Sequence, residues 1–250
     1  GMRVGLGVLA NEGYANSPEH LRAQPTGRAH YGVELCPHIP GAMRQLLTWF
    51  EEEFEAFSDV GLDYLWIWPY DQGGCGCGKC RPWGANGLLK CGEAVSKLFR
   101  RFNPDARVIL STWLLDMKRN EGEWDGLAQA FSPRPEWLDY VLADSHTVFP
   151  RFPIEQGVPG GLPLLNFPEI SMWGTYPWGG YGTNPLPARF QELWESVGPH
   201  LSGGFPYSEG IFEDMNKAAI SQFYWDAAKP ASDTVREYIA YEFAPEVVDE

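Results

Sequence analysis

The sequence predicts an α/β fold of the (β/α)8, TIM-type barrel class, and three observations carry that prediction. Strand-like and helix-like stretches alternate along the chain. The strand-like stretches are apolar enough for a sheet covered by helices. The repeat runs to roughly 30 residues, close to what a barrel of this length uses per unit. A chain of 250 residues with 44% hydrophobic content can bury a sizeable core, so residues 1–250 read as one barrel domain. No linker, repeat or low-complexity tract divides it.

Val4–Ala10 is the first candidate strand. Its Gly5, Gly7 and Ala10 fit the G-x-G-x-x-[GA] pattern of dinucleotide sites, which requires the glycines between a strand and a helix. Here they lie inside the strand, and Asn11, Gly13, Asn16 and Pro18 follow, so the nucleotide reading is rejected. Tyr31–Cys36 is the second candidate strand. Met43, Leu46, Leu47, Phe50, Phe54 and Phe57 then recur at helical spacing. Tyr64–Tyr70 contains the run Tyr64, Leu65, Trp66, Ile67 and Trp68, apolar on both faces, which reads as a strand covered on both sides. Leu88, Leu89, Val95, Leu98, Phe99 and Phe102 form a second helical stripe ahead of the strand Arg107–Leu114.

Further strands are expected at Tyr140–Ala143, Pro163–Phe167 and Gly204–Tyr207. A helix carries Phe190, Leu193, Trp194, Val197 and Leu201 on one stripe, and Ile211 to Trp225 reads as another. Thr234 with Glu237 gives a capping-box signal for a last helix. Strands alternating with helices imply parallel strands joined by crossover helices. Seven strands stand where a closed barrel has eight. Either one strand is not visible in the pattern, or the chain starts after the first strand, as a fragment of a longer protein would. A doubly wound open sheet is the competing fold.

The net charge of -14 leaves no excess of Lys and Arg to displace the counterions of nucleic acid, which excludes it as a partner. No run approaches the ~20 apolar residues of a bilayer span. The N-terminal GMRVGLGVLANEGY lacks the regions of a secretory signal, which leaves the compartment open if the chain is a piece of an exported protein.

In parallel α/β architectures the C-terminal ends of strands open onto the active-site face. Asp71, leaving its strand in PYDQGG, is the first catalytic candidate. Glu34 in GVELCP, Asp116 in WLLDM, Asp144 in LADS, Glu169 in NFPEIS and Glu209 in PYSEGIFED also fall at strand ends. Converging carboxyl groups suit glycoside hydrolysis, where one is protonated to help the leaving oxygen depart and one is ionised to stabilise or attack the sugar cation. For any single carboxylate, capping a helix or binding loop amides is the plainer reading, and two or three catalytic ones suffice. Glu209 is the strongest candidate after Asp71, although it also suits the N-terminus of the helix that follows. Asp214, Asn216 and Lys217 read as a polar helix face.

Tryptophan is the compositional outlier, 11 in 250. Flat aromatic faces with a polar N–H suit a sugar ring. Trp68, Tyr70, Trp113, Trp173, Trp178 and Tyr207 are the candidate sugar-contacting aromatics, with Glu34 beside them, whereas Trp66 reads as core filling.

Cys75, Cys77 and Cys80 make C-x-C-x-x-C, with Cys91 on the next helix and Cys36 remote. The first three with Cys91 would close a tetrahedral, structural zinc site that pins a glycine-rich loop. An oxidised pair with spare thiols is the alternative in an exported protein. The five histidines include no H-x-H or H-E-x-x-H arrangement, so no catalytic zinc and no other cofactor is expected for the chemistry.

The segments DYLWIWPYDQGGCGCGKC, RVILSTWLLD and PYSEGIFEDMNKAAISQFYWDAAKPASDTVREYIAYEFAP resemble the catalytic barrel of bacterial glycoside hydrolases distantly similar to the β-hexosaminidase and α-glucuronidase groups. The resemblance spans most of residues 60 to 245 and implies a TIM-type barrel acting on a carbohydrate. The hexosaminidase pattern carries an adjacent Asp-Glu pair at the end of its fourth strand, whereas here Asp71 is followed by Gln72. Taking Tyr64–Tyr70 as that strand makes Val4–Ala10 the second and leaves the general acid absent from its expected place. A non-catalytic carbohydrate-binding barrel is therefore the binding alternative, and a zinc-stabilised scaffold or interaction domain the third reading.

Overall fold

A computed structural model describes residues 2–26, 32–69, 73–113, 115, 122–145, 149–170, 185–208 and 213–249. The chain divides into two compact units, Gly1–Leu142 with Glu155–Pro163, and Ala143–Ile154 with Leu164–Glu250.

The first unit contains β1 (Gly5–Leu9), β2 (Glu12–Gly13), β3 (Val33–Glu34), α1 (Pro40–Ala56), β4 (Tyr64–Trp68), α2 (Leu89–Phe99), β5 (Arg107–Ser111), α3 (Glu123–Ala130) and the first half of β6 (Tyr140–Ser145). Strands β1, β4, β5 and β6 lie side by side, all parallel, with Val8 in register with Ile67, Ile67 with Leu110 and Leu110 with Val141. That row is buried and faces the helices. The stripe of α1 delivers Leu46, Phe50 and Phe54 to the core, α2 delivers Val95 and Phe99, and the Phe54 and Phe99 rings meet edge to face at 4.9 Å. Each such side chain contributes about 1.5–3 kcal/mol by leaving water. Gly92 makes room on α2 for the Trp137 ring, from which a Cβ would stand 2.8 Å, while Ile67 of β4 would lie at an ordinary contact distance of 3.6 Å.

The opposite face of β4 departs from the expectation of burial on both sides. Tyr64, Trp66 and Trp68 are only half-buried. Their register partners in β1 include Gly5 and Gly7, which have no side chain to cover them. The same register places both glycines inside a strand, as the rejection of a nucleotide loop requires.

Tyr31–Cys36 does not supply a strand of the parallel sheet. Among its described residues Val33–Glu34 forms a strand that pairs antiparallel with β2, and Leu35 bridges Arg22 antiparallel. The Leu35 N–H donates to the Asn11 carbonyl and the Cys36 N–H to the Leu21 carbonyl, so this segment spends its backbone donors on the loop after β1. As a result β1 and β4 are direct neighbours with α1 in the crossover. They are consecutive strands, not the second and fourth.

The second unit contains the end of β6, α4 (Arg151–Glu155, all but its last residue), β7 (Leu164–Pro168), α5 (Pro187–Val197), β8 (Gly203–Gly204), α6 (Asp214–Trp225) and α7 (Ala231–Glu242). β7 is buried along its whole length and pairs parallel with β8, Leu165 with Gly203 and Asn166 with Gly204. Ile170, Phe190, Ala219, Ile220, Phe223 and Ala231 form the core between the helices, with Trp194 stacked on Phe223 at 5.2 Å.

Two expectations fail in these helices. Thr234 is no N-cap: α7 begins at Ala231 behind Pro230, Thr234 is buried one turn inside, and Glu237 pairs with Lys229. The fixed φ of Pro230 starts the helix where the sequence signal placed its lead-in. Asn216 does not join a solvent-facing polar stripe either. It is buried, and its Oδ1 accepts the Leu186 N–H at 2.9 Å, while Asp214 and Lys217 pair at the surface.

The architecture is thus mixed α/β with parallel sheet pairing, and among the described residues the pairings do not close a barrel. No helix of the described residues is long and apolar enough to cross a membrane.

Candidate functional site

The second unit carries two of the expected carboxylates at strand ends. Asp144, the penultimate residue of β6, is 8% exposed, and Glu169, the first residue beyond β7, is 0% exposed. The sequence forces this burial: β7 is apolar apart from Asn166, and Glu169 is enclosed between Phe167 and Ile170 in the chain. A parallel bridge pairs Glu169 with Tyr207, held by the Tyr207 N–H on the Pro168 carbonyl and the Ile170 N–H on the Tyr207 carbonyl, both 2.9 Å. The Tyr207 ring stacks on Phe167 at 4.9 Å, and Arg189 of α5 donates to the Glu169 carbonyl at 3.3 Å.

Polar groups that the sequence reading did not single out surround this strand end. Asn166 is wholly buried in β7, accepts the Tyr224 hydroxyl on Oδ1, and leaves Nδ2 without a partner. Burial pushes the Tyr224 hydroxyl above its ordinary range. Glu213, buried at the N-cap of α6, accepts the Ser208 hydroxyl. The signal for Asn166 was present: one amide in the apolar run PLLNFP has to be satisfied inside the core or serve a site.

The first unit places its candidates differently. Glu34 is buried, and its Oε1 accepts the Gly74 N–H at 3.1 Å, so it anchors the glycine-rich loop. Trp68 and Trp113 follow each other at the ends of β4 and β5 with rings 5.2 Å apart; Trp113 is 8% exposed and Trp68 half-buried. Glu123, a further buried carboxylate, accepts the Trp83 and Gly84 N–H groups at 2.8 and 2.6 Å and so caps the π-helical turn Gly84–Leu88 ahead of α2.

The thiols gather, but not in the expected set. Cys36, Cys75, Cys77 and Cys80 bring their sulfur atoms within 4.8 Å of one another. Cys91, expected as the fourth member, lies outside this group, fully buried in α2, where burial raises its thiol. Cys36 replaces it because the ribbon carries residues 33–36 back toward the glycine loop, a long-range pairing that spacing along the chain does not reveal. Within the group a hydrogen bond from Cys80 is the main cause that pulls Cys75 down to about 4, whereas burial is the main cause that raises Cys36 to about 11.

Asp71, Glu209, Asp116, Tyr70, Trp173 and Trp178 lie outside the described residues.

No protein-family profile matches the chain, and no curated protein does. Solved structures do. A family 89 glycoside hydrolase from Clostridium perfringens in complex with PUGNAc superposes with a TM-score of 0.61 at 15% identity, covering 95% of this chain and 26% of that one. A variant of the same enzyme bound to its substrate GlcNAc-alpha-1,4-galactose gives 0.59 at 16%, again over 95% and 26%. The GH115 4-O-methyl-alpha-glucuronidase BtGH115A, with specificity for decorated arabinogalactans, gives 0.60 at 10%, over 90% and 31%. At these identities the likeness to these glycoside hydrolases is one of fold. The chain spans between a quarter and a third of the length of these proteins.

Proposed function

We propose that this chain is carbohydrate-active and hydrolyses a glycosidic bond with carboxyl groups at the ends of its parallel strands. The observation that carries the reading is the pair Asp144 and Glu169, both buried at strand ends of one unit, in a fold shared with glycoside hydrolases. Asp71 and Glu209 join them as candidates on sequence grounds. In this chemistry one carboxyl donates a proton to the departing glycosidic oxygen, while an ionised partner stabilises or attacks the sugar cation. A carboxyl shielded from water suits the acid role, and in this reading Glu169, the more deeply buried of the two, takes it. No cofactor enters these steps.

The test separates turnover from binding. Asp71→Asn, Glu209→Gln, Glu169→Gln and Asp144→Asn variants are assayed one at a time against oligosaccharides, with affinity measured by calorimetry. Loss of turnover with retained affinity in at least one variant supports hydrolysis. Affinity without turnover in the parent chain replaces the reading with a carbohydrate-binding barrel.

A further inference from the structure

We propose that Cys36, Cys75, Cys77 and Cys80 form a structural site for one zinc ion, tying the loop after β4 to the ribbon after β3. Zinc held by four thiolates has Zn–S bonds of about 2.3 Å, which sets the edge of the sulfur tetrahedron at about 3.8 Å. Cys36 Sγ lies 3.9 Å from Cys77 Sγ and 3.8 Å from Cys80 Sγ, and all four sulfurs fall within 4.8 Å of one another. A disulfide would pair two of them at about 2.05 Å. The four cysteines are free thiols, and their sulfurs lie close enough together to share one ion.

The backbone around the thiols is shaped for this arrangement. Gly74 has a φ of +71°, and a Cβ there would stand 2.1 Å from the Trp83 ring; a Cβ on Gly76 would stand 2.3 Å from the Pro25 carbonyl oxygen. These close approaches fold the loop back so that its cysteines face Cys36. The Gly76 N–H donates to the Gln24 carbonyl at 2.8 Å, and the Gln24 N–H donates to Cys75 Sγ at 3.4 Å, the kind of backbone support that orients a metal-bound thiolate. Cys75 and Cys80 are wholly buried and Cys36 nearly so, leaving Cys77 as the half-exposed ligand through which an ion enters. Four protein sulfurs leave no open position for substrate or water, which makes the role structural. Binding forms four Zn–S bonds and sends the remaining thiol protons to solvent, with no change of oxidation state.

The experiment measures metal content of the full chain, purified under reducing conditions, by mass spectrometry. The expected result is about one zinc per chain in the parent and in Cys91→Ala, and near none in Cys36→Ser. Cys77→Ser, at the half-exposed ligand, serves as the second variant if Cys36→Ser does not fold. Cobalt loading provides an independent readout: thiolate-to-cobalt charge-transfer absorption is expected in the parent and in Cys91→Ala and absent from both serine variants. A parent chain free of zinc, zinc retained in both serine variants, or a different metal in the site would overturn the proposal.

Discussion

Glu169 and Asn166 sit three residues apart around the end of β7, and both are wholly buried. Their visibility in the sequence differed. Glu169 was legible because a carboxylate after an apolar strand is an obvious exception, whereas Asn166 hid inside the strand and its partner, Tyr224, lies 58 residues away. Cys36 escaped as a member of the thiol group for the same reason, its neighbours being set by tertiary pairing. Tyr224→Phe tests how firmly this network is built. It removes the hydroxyl donor to Asn166 Oδ1 and leaves a buried acceptor unsatisfied, which costs about 1–3 kcal/mol. Urea unfolding is expected to show the loss as a lower midpoint at unchanged slope, and an unchanged midpoint would mean that the contact contributes nothing.

Helices with a clear apolar stripe were legible as elements, with ends a few residues off. Met43 to Phe57 became α1, and the stripe from Leu88 to Phe102 became a π-helical turn followed by α2. Short segments governed by distant partners were not: β3 is too short to show periodicity, and α7 starts at Ala231, just after Pro230 and ahead of its apparent cap. α1 also contributes an electrostatic strain that can be measured. Glu53 lines a cavity of about 600 Å³ beside β1, together with Glu12, Tyr14 and Trp49, and burial pushes its carboxyl above the ordinary 4.5. A carboxyl raised in the folded state binds its proton more tightly there than in the unfolded chain. Its stabilising contribution is therefore fully present below 4.5 and is lost as the pH rises through the raised value. Glu53→Gln should raise the melting temperature near neutral pH, with the gain vanishing as the pH falls below 4.5. A gain that is independent of pH would contradict this assignment.

At the scale of the molecule, alternation of strands and helices was enough to foresee parallel α/β architecture, because β1, β4, β5 and β6 each carry a buried row that only a helix-covered sheet satisfies. Strand count was not foreseeable, since the ribbon segment reads like a sheet strand when its partners are unknown. The proposal built on the buried strand-end carboxylates, in a fold like that of glycoside hydrolases, is that the chain cleaves glycosidic bonds. The measurement that tests it most directly is the initial rate of hydrolysis across a panel of aryl glycosides and natural oligosaccharides, for the parent chain and for Glu169→Gln side by side, with thermal melts of both. The account predicts turnover by the parent, a fall in kcat of about 10²–10⁴ in the variant with KM little changed, and similar melting temperatures. Full activity in Glu169→Gln, or a folded parent chain silent across the panel, would contradict it.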